Sequence, residues 1–272
     1  MTDTKRVFDV GIEAATRAGE ILCQHFEQGV GSTEKTIGDQ KQGLVTVADL
    51  EAERAIIDTI HASFPDHALL AEESLSTGNN PDHLWAIDPL DGTNNFAHGI
   101  PHFAVSIAYW HKGNPSIGIV LDPIRKEQFV AVKNSGATLN GTPISVCKHS
   151  AIEEAMIATG FYYDRGEMMS QTLGCIETLF RNQIRGIRRM GAAALDLSWV
   201  ACGRYSAFFE LTLSPWDHAA GQLLVTEAGG NFSDCGGDKV ALETSSVLAS
   251  NGKLHPQILS LLQQSKKKSR TI

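Results

Sequence analysis

The chain has 272 residues, 42% of them hydrophobic and 20% charged, and a net charge of −8. That length supports one large domain or two fused subdomains around a sizeable core, and the composition is ordinary for a soluble globular protein. The acidic balance argues against a general nucleic-acid binder, and no apolar run approaches the length of a membrane span. Five cysteines (Cys23, Cys147, Cys175, Cys202, Cys235) are scattered, odd in number and without a Cys-x-x-Cys pair. They point away from zinc knuckles and redox motifs and toward reduced thiols in a cytoplasm. No charged-then-apolar leader opens the chain, so a cytoplasmic location is the expectation.

The spacing of Phe8, Ile12, Ala15, Leu22 and Phe26 predicts an amphipathic helix over 5–29. Residues 30–43, rich in Gly, Lys, Asp and Gln, read as a mobile loop or hairpin. A second helix runs from about Asp49 to Phe64, with Ala52, Ala55, Ile56, Thr59 and Ile60 as its buried stripe. Short apolar runs at 68–71 and 84–87 read as central strands. Residues 103–110, 116–121 and 128–133 read as a meander with turns at Lys112-Gly113-Asn114-Pro115 and Asp122-Pro123. Gly141 closes a first, larger subdomain of about residues 1–145. In the second, about 146–265, strands are expected at 151–158, 185–190, 207–211 and 248–251, and helices at 166–181, 192–202 and 216–228. A final helix has Pro256 in its first turn. Residues 266–272 form a basic tail that reads as a solvated terminus. The whole is expected to be one α+β domain.

Chemistry concentrates where apolar runs end in acids. Trp85-Ala86-Ile87 delivers Asp88-Pro89-Leu90-Asp91-Gly92-Thr93, Leu69-Leu70-Ala71 ends in Glu72-Glu73, and Pro215-Trp216-Asp217 opens a helix. Carboxylates suit hard cations such as Mg²⁺, and N–H groups after a glycine can turn toward an anion. An Asx-type turn whose carboxylates only cap backbone groups is the plainer reading of Asp88-Pro-x-Asp91 alone. Three acidic element ends together suffice for a two-metal site of Glu72, Asp88, Asp91 and Asp217. Asp49 sits near a helix N-terminus, a favourable place for an acid as a plain cap. His218 and Glu73 read as supporting rather than ligating, and Asp196 as making a structural hydrogen bond inside its helix.

Glu-Glu-Ser, Asp-Pro-Leu-Asp-Gly-Thr, Trp-Asp and Glu-Ala-Gly-Gly, in this order from about residue 5 to about 262, resemble the inositol monophosphatase family of Mg-dependent, lithium-sensitive phosphatases. The resemblance implies a layered α-β-α-β-α sandwich. It implies that Glu72, Asp88 and the Leu90 carbonyl bind a first Mg²⁺, and that Asp88, Asp91 and Asp217 bind a second, with a third ion near Glu72 in similar enzymes. Thr93, oriented by Asp49, and Glu72 would handle the attacking water, with no covalent phosphoenzyme. Asp91, Gly92, Thr93 and Asp217 would meet the phosphate end of the substrate, and Gly191, Ala192, Ala193 and Glu210 a polyol. Inositol 1-phosphate is the foremost substrate. Fructose-1,6-bisphosphatase, histidinol-phosphatase and nucleotide 3′-phosphatase activities are alternatives on the same scaffold. Similar proteins are homodimers, and some bacterial relatives also bind transcription machinery. Lys41-Gln42-Gly43 departs from the pattern, because the family's loop lysine has no clear counterpart there.

Overall fold

The computed structural model describes residues 2–29, 32–37, 40–74 and 78–269. Helix α1 spans Thr2–Gln28, and the hairpin β1 (Ser32–Ile37) and β2 (Gln40–Thr46) leads into α2 (Val47–Ser63). Strands β3 (His67–Ala71) and β4 (Asn80–Asp91) flank the acidic turn at Glu72. A one-turn helix α3 (Thr93–Ala97) follows, and then β5 (Ala104–His111), β6 (Asn114–Asp122), β7 (Glu127–Val132), β8 (Ala137–Leu139) and β9 (Thr142–Pro143). The second half holds β10 (Met156–Thr159), α4 (Glu167–Arg181), β11 (Gly186–Arg188), α5 (Ala193–Ala201), β12 (Ala207–Leu213), α6 (Pro215–Glu227), β13 (Asn231–Ser233), β14 (Ser245–Ser250) and α7 (His255–Ser269).

Strands β3 to β9 lie in sequence order in one seven-stranded sheet, antiparallel except for the β3–β4 pair. The second sheet has the order β11-β10-β12-β14-β13, with β10 parallel to both its neighbours. Helices α1 and α2 cover the outer face of the first sheet, α5 and α6 fill the space between the sheets, and α4 and α7 cover the second sheet. Three hydrophobic clusters occupy the three interfaces. The result is the five-layer α-β-α-β-α arrangement.

Each layer forms for a local reason. On α1, Val7, Ala14, Ala18 and Leu22 recur at helical spacing and are buried against the sheet. Helix α2 starts in a capping box, in which Thr46 and Asp49 satisfy each other's backbone N–H groups. The middle layer needs close approach. A methyl on Gly118 of β6 would lie 2.7 Å from the Ala220 carbonyl of α6, and one on Gly221 would lie 2.4 Å from Leu197 of α5.

Several elements differ from the sequence reading. The run 151–158 splits into a 3₁₀ turn, Ile152–Glu154, and a shorter strand. The strand expected at 185–190 covers only Gly186–Arg188, because a three-residue register with β10 is all the sheet pairs. Strands β8, β9 and β13 and helix α3 were too short to leave a periodic signal. The tail beyond Ser265 falls outside the side chains described.

Candidate active site

Asp88 and Asp91 are three residues apart on β4. In a regular strand, residues at odd spacing point to opposite faces. Pro89 has no N–H for the ladder, and the register to β5 slips by one residue between Asp88↔Ser106 and Asp91↔Ala104. Trp85, Ile87 and Leu90 therefore stay in the outer cluster under α1 and α2. Ala86 packs between the sheets, and Asp88 and Asp91 take the same inner side, where Asp91 meets α5. The bulge converts a through-sheet pair of acids into a same-face pair.

Each carboxylate is anchored by backbone donors. Asp88 Oδ1 accepts from the Leu90 N–H at 3.0 Å. Asp91 accepts from Ala193 N–H at 3.2 Å and Ala194 N–H at 2.7 Å, which places it at the start of α5. Asp217 Oδ2 accepts from Ser214 N–H at 2.7 Å and closes the capping box of α6. Glu72 follows β3, where its N–H donates to the Ile87 carbonyl at 3.2 Å.

These acids repel one another in a desolvated setting. Burial, then Glu72, Asp91 and Asp217, push Asp88 well above the usual carboxylate range, and a hydrogen bond with Glu72 adds to this. Burial raises Asp91 to about 7 against the pull of the Ala194 and Ala193 N–H groups, with Glu72 adding to the rise. Asp217 is raised by burial, Glu72 and Asp91. No lysine or arginine among the described residues pairs with Asp88, Asp91 or Asp217.

The donor chemistry fits a hard divalent cation: every donor is an oxygen, and the charges are concentrated in a largely buried pocket. No three His, Cys, Asp or Glu side chains among the described residues form a finished coordination cluster, and Asp91 and Asp217 accept from helix-end N–H groups. Those bonds leave further lone pairs on each carboxylate.

Gly92 adopts φ 95°, the left-handed region that glycine enters without strain. A Cβ there would lie 3.1 Å from the His102 carbonyl and 3.3 Å from the Ala192 Cβ. Thr93 follows at the start of α3. Its Oγ1 lies 3.2 Å from Asp49 Oδ1 and 3.0 Å from the Leu90 carbonyl, both able to accept its one proton. Asp49, fully buried, keeps Oδ2 for the Thr46 N–H at 2.7 Å and hydroxyl at 2.6 Å. Behind the loop, Phe26 of α1 packs on Phe96 and Phe103 with ring centroids 5.4 and 5.0 Å away.

Glu210, on β12, lies over Gly160, where a Cβ would come 1.9 Å from its Oε2. Burial pushes its carboxyl up to about 8, Arg189 draws it down and Asp91 adds to the rise. Gly191, at φ 85°, brings Arg189 over the loop: a Cβ would meet its Nη1 at 2.8 Å.

The sequence matches the model of the inositol monophosphatase family over residues 3–267. This chain belongs to the inositol monophosphatase family. It is 42% identical over 265 residues to Nus factor SuhB of Pseudomonas aeruginosa, a match covering 94% of this chain and 96% of that protein. It is 40% identical over 256 residues to the chloroplastic phosphatase IMPL1 of Arabidopsis thaliana, covering 91% of this chain and 68% of that one. Among solved structures, inositol monophosphatase from Anabaena superposes with a TM-score of 0.86 at 38% identity over 97% of both chains. The protein is a phosphatase of a family that is in general metal-dependent.

Within that family frame, the residues singled out in the sequence fall into two groups. Glu72 after β3, Asp88 and Asp91 on β4 and Asp217 on α6 interact electrostatically, and Thr93 hydrogen-bonds Asp49 directly. Gly92, Ala192 and Ala193 border this group through Asp91 and the Gly92 contact. Glu210 and Gly191 lie on its Arg189 side. The Leu90 carbonyl lies 3.0 Å from Thr93 Oγ1 and competes with Asp49 Oδ1 for its one proton. His218 turns away, its Nε2 donating to the Glu243 carbonyl at 3.0 Å. The hydrogen bond expected of Asp196 is not made. Its Oδ1 is buried without a partner among the described residues, and burial, with Asp91 and Glu210, holds the carboxyl well above its ordinary value. Sequence reasoning misses two contributors, Thr46 and Gly160. The Thr46-x-x-Asp49 spacing of a capping box is a usable signal for the first. The second depends on a contact across 50 residues that no local pattern carries.

Proposed function

We propose that this phosphatase hydrolyses a small polyol phosphate monoester, inositol 1-phosphate foremost, with Mg²⁺ held by Glu72, Asp88, Asp91, Asp217 and the Leu90 carbonyl. The observation that carries the reading is the buried, mutually repelling acid set built around the Asp88–Asp91 bulge and joined to the Thr93–Asp49 pair. Bound there, two or three ions would supply water activation, charge neutralisation on the phosphate and stabilisation of the leaving alkoxide. Thr93 Oγ1 turns its proton toward Asp49 Oδ1 and offers a lone pair to the attacking water, which it orients. Asp49 is locked by Thr46 and fixes that hydroxyl. The Gly92–Thr93 backbone borders the phosphate. Gly191, Ala192 and Ala193 let a polyol approach the main chain, and Glu210 meets a ring hydroxyl. Inhibition by Li⁺ at the second metal position, homodimeric assembly and a cytoplasmic location belong to the same reading, on the family resemblance.

The test is phosphate release under Mg²⁺ from inositol 1-phosphate, fructose 1,6-bisphosphate, histidinol phosphate and adenosine 3′,5′-bisphosphate, each with and without Li⁺. The highest kcat/KM is expected on inositol 1-phosphate, with inhibition by Li⁺. A preference for another member of the panel would overturn the reading of Glu210 and leave the acid site standing.

A second reading adds to the first. The 42% identity to a protein named as a Nus factor favours a partner in the transcription machinery. An Asp88→Asn protein that loses turnover and still binds such a partner would support it, and binding lost together with turnover would count against it.

A further inference from the structure

We infer that Glu53 is a positioning residue for the Glu72 ligand, so that α2 supports the site from two points. The inference rests on the metal-phosphatase reading above. Asp49 and Glu53 are four residues apart on α2, the spacing that puts two side chains on one helix face. Asp49 reaches the loop at Thr93. Glu53, 4% exposed, turns its carboxylate to the turn after β3, where Oε2 accepts the backbone N–H of Glu73 at 2.8 Å. A backbone N–H in a partly buried turn is costly to leave unpaired, and the Glu53 oxygen supplies its acceptor.

Strand β3 ends at Ala71, and residues 72–74 that follow belong to neither a helix nor a strand. Glu72 is the first residue after the strand. Its own N–H is tied to the Ile87 carbonyl of β4, and the next N–H along the chain is tied to Glu53. With both bonds in place, the Glu72 main chain is fixed on one side by the sheet and on the other by α2. The direction in which Glu72 projects toward Asp88, with which it shares a hydrogen bond, is then set before any cation binds. Residues behind a metal ligand commonly change metal affinity or activity by about 10–100-fold when removed.

Three variants separate reach from charge. Glu53→Gln keeps an acceptor oxygen at the same distance and drops the charge. Glu53→Asp keeps the charge and shortens the arm by one methylene. Glu53→Ala removes both. The readouts are Mg²⁺ affinity by titration calorimetry, the rise in Tm on adding Mg²⁺, and kcat and KM at saturating Mg²⁺. Glu53→Gln should stay within about 2-fold of the unaltered protein in Mg²⁺ affinity. Glu53→Asp and Glu53→Ala should bind Mg²⁺ about 10-fold or more weakly and show a smaller Mg²⁺-induced rise in Tm, with the substrate KM nearly unchanged. Lowered metal-free Tm with unchanged Mg²⁺ affinity would reduce Glu53 to a structural role and overturn the inference. So would an intact Glu53→Asp beside a weakened Glu53→Gln, which would make charge rather than reach the cause. Should the unaltered protein bind no Mg²⁺, the functional reading itself fails, an outcome distinct from either.

Discussion

Replacing Glu210 by Gln should stabilise the metal-free protein in a pH-dependent way, and the dependence reads out the burial of this carboxyl. Burial raises the Glu210 carboxyl from 4.5 to about 8. A carboxyl whose folded value lies above its unfolded one contributes stability that is fully present below the unfolded value and is lost as pH rises through the folded one. Glutamine does not titrate, so groups that do not interact with Glu210 cancel in the difference between the two proteins, while Asp196 and Asp217, which its charge raises, shift with it. From pH 5 to pH 8.5 the difference should move in favour of Glu210→Gln by about 2–4 kcal/mol. Each pH unit between the unfolded and folded values is worth about 1.4 kcal/mol, and the lower end allows for water reaching a half-buried side chain. At this chain length that corresponds to a Tm gap widening by roughly 5–15 °C. Thermal unfolding in EDTA at half-unit pH steps, followed by circular dichroism, measures it. A gap that is constant across this range would mean that Glu210 titrates as an ordinary exposed carboxyl, and the account of a desolvated pocket over Gly160 would fail.

Three further outcomes follow from the geometry. Thr93→Val, which removes the hydroxyl shared by Asp49 and Leu90, should lower kcat by about 100-fold or more, and Thr93→Ser should restore most of it; equal losses in both would show that the hydroxyl is idle. Asp88→Asn should abolish turnover yet raise the metal-free Tm at pH 8, because Asn escapes the burial and like-charge repulsion that hold the Asp88 carboxyl well above its ordinary value; a lowered Tm would argue against that repulsion. Gly160→Ala should displace the Glu210 carboxylate, which a Cβ would meet at 1.9 Å, and raise KM for inositol 1-phosphate by about 10-fold, roughly the worth of one lost hydrogen bond to a charged group. Parallel kinetics on glycerol phosphate, which lacks the ring, should change less.

The periodic elements were legible from the chain because their burial is one-sided. α1 and α2 carry 3.6-residue stripes, and the meander carries apolar runs bounded by turn residues. The acids were legible because two apolar runs stop at carboxylates and a third acid opens an apolar-periodic helix. What the chain left open was parity and reach. The Asx-turn reading and the metal reading of Asp88-Pro-Leu-Asp91 share the same letters, and the bulge that Pro89 imposes against β5 puts both acids on one face. Asp49 was read as either a plain cap or an orienting acid. Its two oxygens accept from Thr46 and from Thr93, an arrangement set by the way α2 packs against the end of β4.

Sequence alone thus determined the types of the longer elements, the family motifs and the positions of the candidate acids, since each depends on residues close together in the chain. The tertiary structure decided which side of β4 the acids face, that Asp91 meets the start of α5, and that Glu210 lies over Gly160. It also decided that Glu53 grips the turn beside Glu72. Those contacts join residues 20 to 103 positions apart, and only chain packing, with its bulges and close glycine contacts, brings such positions together.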